Sequence, residues 1–213
     1  MCDSHLEVYT GCVRSGKSSK LFSKICYYRD IGYKCLVINH KNDNRDVKNG
    51  VSSHSSLFKG LPDDIKIEST DDLSSIDISP YDTIAVDEAN FFNGLKNVIV
   101  NMWLPKGKTI IIFGIDRDFL GREFGEIKEL LPYCDIFKKL MATCLQCKKE
   151  GKINKSNPFN ASFSMRISGG KNLIEIGSTN YEPACRYHFY KHLQKMERND
   201  FLNEIEEHID ESP

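Results

Sequence analysis

The sequence predicts an α/β protein: a mainly parallel sheet flanked by helices, followed by a smaller segment pinned by a metal ion. Three observations lead there. Short apolar runs alternate with helical spacings as far as about residue 140. A glycine-containing turn ending in Lys17-Ser18 joins the first run to the first helical spacing. Beyond it, two short-spaced pairs, Cys144/Cys147 and Cys185/His188, bracket a polar stretch.

Leu6 to Thr10 reads as a strand, and the turn GCVRSGKSS follows at once. From Lys17 to Asp30, apolar Leu21, Phe22, Ile25 and Cys26 recur at helical spacing, and Gly32 marks the stop. Lys34 to His40 is a second strand, and the polar residues 41–62 read as a loop. Lys66 to Glu68 predicts a short strand, and Ser69 to Leu73 opens a brief helix. Thr83 to Val86 and Lys108 to Ile115 are continuous apolar runs, the pattern of strands buried on both faces. Between them Phe91 to Trp103 predicts a helix ended by Pro105, and Gly125 to Leu131 another stopped by Pro132. Phe163 to Ile167 is a β-like run in the later segment. The expected division is 1–140 for the α/β domain, 141–192 for the metal-binding domain and 193–213 for a charged tail.

Composition narrows the function classes. The 213 residues are 40% hydrophobic and 28% charged, enough to bury a core. A net charge of -1 gives no global electrostatic reason to expect a nucleic-acid partner. The start, MCDSHLEVYT, shows no leader pattern, and the longest apolar run, Ile110 to Phe113, cannot cross a bilayer. The expectation is a cytoplasmic protein without a membrane partner. Clustered cysteines in that compartment bind metal more often than they pair as disulfides.

Gly11, Gly16, Lys17 and Ser18 satisfy G-x-x-x-x-G-K-[ST], between a strand and a helix. Phosphates need backbone N–H groups in a ring, glycine where side chains would collide, a helix start facing the anion and a lysine on the outer phosphates. Residues Gly11, Cys12, Val13, Arg14, Ser15, Gly16, Lys17 and Ser18 form this loop, and the Ser18 hydroxyl would face Mg²⁺. Hence the fold class is of the P-loop NTPase type. Asp87 and Glu88 end an apolar strand, where open parallel sheets bind their ligands. Asp87 suits Mg²⁺, and Glu88 suits a general base that takes a proton from an attacking hydroxyl. Cys144, Cys147, Cys185 and His188 make a closed Cys3His set, the donor set of a structural Zn²⁺, with His192 as an alternative fourth ligand.

These features in this order resemble the type II thymidine kinase family, over about residues 6–190. GCVRSGKSS is similar to the family's G-P-M-F-[SA]-G-K-[ST]-[ST], AVDEANFF to I-D-E-[AG]-Q-F-F, and GIDRDFLGREFG to G-L-D-x-D-F-R-G-x-P-F-G. The resemblance implies that Glu88 is the catalytic base and Asp87 the magnesium-side carboxylate, with Asn90 beside them. It implies that Asp43, Asn44 and Arg45 lie near bound phosphates. It assigns Phe91, Ile115, Phe119, Phe124 and Tyr181 to the nucleoside pocket, with Ser164 and Arg166 as further candidates. A lasso-like loop would close over the base, its returning limb being Leu173, Ile174, Glu175, Ile176 and Gly177.

The resemblance implies transfer of the γ-phosphate of ATP to thymidine, with deoxyuridine also accepted. It further implies a homo-tetramer and feedback inhibition by dTTP. Cys12-Val13-Arg14 departs from Pro-Met-Phe, Asn90 stands where Gln is usual, and Leu120 stands where many relatives have Arg. These departures bear on base selectivity more than on chemistry. The competing readings are a deoxynucleoside kinase of other base specificity, a nucleic-acid-linked P-loop ATPase and a non-catalytic zinc module.

Overall fold

The computed structural model describes residues 3–41, 60–167 and 180–196. Among them, six strands form one wholly parallel sheet in the order β3-β2-β4-β5-β1-β6. In chain order these are β1 (His5–Gly11), β2 (Cys35–His40), β3 (Lys66–Thr70), β4 (Thr83–Val86), β5 (Thr109–Gly114) and β6 (Ile136–Leu140). The inner strands β2, β4 and β5 are buried along their whole length, as their continuous apolar runs require. Parallel neighbours need crossovers, and these cover both faces.

Helix α1 (Lys17–Asp30) covers one face. Its Leu21 and Ile25 pack with Tyr9, Val37, Ile111 and Phe113, one side of the alternating strand residues. On the other side, Val8, Ile38, Val86 and Ile112 pack against Phe92 and Trp103 from the β4–β5 connection. Ile127 and Leu130, between β5 and β6, join that second core.

Three local expectations are corrected. The helix expected over Phe91 to Trp103 is broken: a 3₁₀ turn covers Ala89–Phe91, Gly94 turns the chain at φ 68°, and Asn97–Trp103 is π-helical. Instead of a helix opening at Ser69, β3 runs on to Thr70, and a 3₁₀ turn forms at Leu73–Ser75. The Asp72 carboxylate accepts from the Ser74 N–H and moves the helical turn downstream. The expected Gly125 to Leu131 helix is a 3₁₀ segment over Ile127–Tyr133 that contains Pro132. Proline blocks an α-helical continuation but is tolerated in so short a turn.

Beyond β6, a short helix α2 (Leu145–Lys149) precedes an antiparallel pair, β7 (Phe163–Arg166) and β8 (Tyr181–Ala184). Residues 186–196 are helical (α3) and straddle the expected start of the tail. Among the described residues no helix is long and apolar enough to cross a membrane.

Candidate active site and metal centre

The carboxyl ends of β4, β5 and β1 lie side by side, because Val86 pairs with Ile112 and Thr10 with Gly114. This edge therefore gathers the phosphate loop, the Asp87-Glu88 pair and Ile115. Gly11 is needed for close approach, since a Cβ there would lie 2.5 Å from Ser15 Oγ and 2.6 Å from the Leu140 carbonyl. Gly16 takes φ 84° and starts α1 without a side-chain cap, and no acidic residue stands in the first turn. The first-turn N–H groups thus keep their positive field for an anion. Lys17 is buried, and its ammonium donates to the Gly11 and Cys12 carbonyls at 3.0 Å each, so its charge sits inside the turn. Arg14 is exposed, at φ 58°.

Asp87 and Glu88 are both buried, 1% and 9% exposed, at the end of β4. The Asp87 carboxylate accepts from the Glu88 N–H at 3.0 Å. Glu88 adopts φ 48°, a left-handed conformation that costs a non-glycine residue about 1–3 kcal/mol. Such strain persists only where surrounding structure imposes it, and here it sets the direction of a buried carboxylate. Asn90 accepts from the Ile115 N–H at 3.0 Å and ties the turn after β4 to the end of β5.

The predicted pocket aromatics fall into two groups. Phe91 meets Phe124 edge-on at 5.6 Å and His40 at 5.6 Å. Phe119 is buried elsewhere, under the Arg166 guanidinium at 4.0 Å, with Tyr181 5.8 Å from the same cation. Ser164 accepts from the Val13 N–H at 3.1 Å, so the small antiparallel sheet is fastened to the phosphate loop. Cys12 strengthens that joint: its thiol donates to the Ala161 carbonyl at 3.4 Å, and it packs with Ala142, Cys144 and Cys147. Burial pushes the Cys12 thiol above its ordinary 9.0, which suits a neutral packing group. Asp43, Asn44, Arg45 and the limb Leu173, Ile174, Glu175, Ile176 and Gly177 lie outside the described residues.

The Cys3His set converges as its spacing predicts. The donor atoms of Cys144, Cys147, Cys185 and His188 all lie within 4.8 Å of one another. His188 Nδ1 is 3.5, 3.4 and 3.2 Å from the sulfurs of Cys144, Cys147 and Cys185, and the last two sulfurs are 3.7 Å apart. Donors at about 2.3 Å (sulfur) and about 2.0 Å (nitrogen) from a tetrahedral Zn²⁺ lie roughly 3.5–3.8 Å apart, so the cluster fits zinc. His188, rather than His192, completes it among the described residues. Burial opposes ionisation of Cys144, yet N–H groups of Cys147 and Cys185 aimed at its sulfur bring the thiol down to about 7. The neighbouring Cys147 thiol is pushed up by burial and by Cys144, so the two thiols titrate as one pair.

Two supporting residues were absent from the sequence reading. Glu150 accepts from His188 Nε2 at 3.2 Å, which leaves Nδ1 as the metal-facing nitrogen. Asn160 accepts from the Cys144 N–H at 2.9 Å and reaches the Cys147 sulfur at 3.5 Å. No spacing rule announces either one.

A parallel sheet with a Gly-x-x-x-x-Gly-Lys-Ser loop after β1 and a carboxylate pair after β4 is the architecture of P-loop phosphotransferases. Residues 4–189 match the family described as thymidine kinase, and the chain belongs to that family. It is 31% identical to a thymidine kinase of Mycoplasma mobile over 187 residues, covering 86% of each chain. It is 31% identical to that of monkeypox virus and 32% to that of vaccinia virus, covering 87% of this chain and 97% of each relative.

Proposed function

We propose that the protein is a thymidine kinase that transfers the γ-phosphate of ATP to the 5′-hydroxyl of thymidine, and also of deoxyuridine. The observation that carries this reading is Glu88: a buried carboxylate in left-handed backbone, on the sheet edge that also bears the phosphate loop. Glu88 takes the 5′-hydroxyl proton as that oxygen bonds to the γ-phosphorus, and the bond to the β-phosphate oxygen breaks to release ADP. The α1 N-terminus and Lys17 hold the phosphates, and Arg45 adds positive charge. Ser18 and the buried Asp87 carboxylate suit Mg²⁺, which when bound offsets phosphate charge. The transition state is loose, so positioning and preorganised charge supply most of the acceleration.

Val13, Phe91, Ile115, Phe119, Phe124 and Tyr181 serve the nucleoside from the two aromatic groups, and the family resemblance adds the limb from Leu173 to Gly177. The Cys3His centre holds a structural Zn²⁺ that anchors both ends of the lasso. These roles support the division into 1–140 and 141–192, with 193–213 as the charged tail into which helix α3 runs. The reading extends to a cytoplasmic homo-tetramer inhibited by dTTP, on the strength of the family resemblance.

The test is a phosphoryl-transfer assay with ATP, Mg²⁺ and a panel of deoxynucleosides. Thymidine monophosphate should form, with little product from deoxycytidine or purines. Glu88→Gln should bind ATP normally and lose about a hundredfold or more in turnover. Unchanged turnover would remove Glu88 from the role. Product from another base would keep the chemistry and place the specificity change at Val13, Leu120 or the lasso.

A further inference from the structure

Arg166 ends β7 and pairs with Tyr181, the first residue of β8, across the antiparallel ladder. It is 2% exposed. A guanidinium loses much of its hydration in such a position, so its surroundings must offset the loss. Two ring faces contribute. Cζ lies 4.0 Å from the Phe119 centroid and 5.8 Å from that of Tyr181, and Nη2 lies 3.5 Å from the Tyr181 hydroxyl.

The two rings come from different parts of the molecule. Phe119 follows β5 of the parallel sheet, whereas Tyr181 opens β8 of the small sheet. An apolar side chain would fill the same volume without desolvating a charge. What the guanidinium adds is a rigid plane that stacks on one ring while its edge reaches the other.

We propose that Arg166 is a positioning residue of the nucleoside site. It sets Phe119 relative to Tyr181 and thereby the shape of the pocket that receives the base. It acts through these two rings, so its loss should weaken nucleoside binding and base discrimination while leaving the phosphate loop's grip on ATP intact. The inference rests on the assignment of both rings to the thymidine site.

The experiment compares wild type, Arg166→Lys and Arg166→Met as full chains loaded with zinc. Steady-state constants for thymidine, deoxycytidine and ATP are measured, together with melting temperature. Arg166→Met should raise the thymidine KM about tenfold and narrow the preference over deoxycytidine, with the ATP KM within about twofold of wild type. Arg166→Lys keeps the charge but not the plane, and should not restore the thymidine KM. In a double variant with Phe119→Leu the losses should not add, because both act on one contact. A purely structural role would lower the melting temperature and the active fraction but leave the KM and base preference of the folded enzyme unchanged; that result overturns the inference. Should Arg166→Met not fold, Arg166→Lys decides by the same constants. If wild-type chain makes no thymidine monophosphate, the functional reading fails and this inference falls with it. If wild type is active and both variants keep its KM, the inference alone is overturned.

Discussion

The parallel sheet and the Cys3His lobe are held by different forces. In the sheet, β4 and β5 are buried throughout, and two apolar layers sandwich them. Area removed from water is the dominant stabilising quantity there. Among its described residues the lobe has two short strands and two small clusters, one around Phe163 and Phe189, the other around Cys144 and Ala161. Clusters of that size hold a segment weakly, and four converging ligand atoms would supply the difference when they bind an ion. The expectation is that packing sets the sheet's stability and metal affinity the lobe's.

The largest expected effect separates the two. Chelating the metal should unfold the lobe while the sheet keeps its protection, because the binding energy of a structural zinc is on the order of 10 kcal/mol or more. Hydrogen exchange resolved along the chain checks this: β7 and β8 should lose protection and β4 and β5 retain it. Equal loss in both would erase the distinction.

Phe113→Ala probes the other side. Phe113 is fully buried and stacks on Tyr9 at 4.9 Å. Its truncation should cost about 3–5 kcal/mol in denaturant unfolding. Zinc affinity, read by competition with a chromogenic chelator, should be unchanged.

A smaller effect sharpens the lobe's half of the contrast. Glu150→Gln weakens the hydrogen bond that orients His188, so zinc affinity should fall about ten- to a hundredfold. An unchanged competition curve would leave Glu150 a surface residue.

The smallest effect concerns pH and belongs to the sheet. Glu7 on β1 is buried; burial alone would raise its carboxyl, but hydrogen bonds from Lys24, Tyr9 and Tyr28 hold it below its ordinary 4.5. A group with a depressed folded pKa contributes stability above its unfolded pKa and loses it as pH falls through the folded value. Stability should therefore drop on acidification below about pH 4.5, and part of that slope should vanish in Glu7→Gln. Unfolding curves at several pH values measure it.

What the sequence disclosed follows the range of the interaction. Helix α1 was legible end to end, because its apolar spacing and the glycines at its flanks are local signals. So were the phosphate loop, Asp87-Glu88 and the Cys3His pairs, whose chemistry is written in short spacings. Strand β6 was not recognised: its Phe137, Lys138 and Lys139 belong to a sheet edge and break the apolar run. Strand β8 was hidden by Pro183, a residue that suits only edges and irregular positions. The π-helical turn before Trp103 has no local signature distinct from an α-helix. In the site, Arg166 on Phe119, Glu150 on His188 and Cys12 on Ala161 are contacts between distant residues, which spacing rules do not reach.

The Cys12 contact has a consequence for recombination between relatives. A loop of eight residues with a phosphate-loop motif looks like a portable cassette. In this chain its second residue belongs to the core of the metal lobe, and the N–H of its third donates to Ser164. Transplanting a relative's Pro-Met version would remove the thiol from that core and leave the Ala161 carbonyl without this donor. Exchange of the loop alone should therefore cost more than exchange of the loop together with residues 161–164. The heritable unit here is a pair of segments separated by most of the chain.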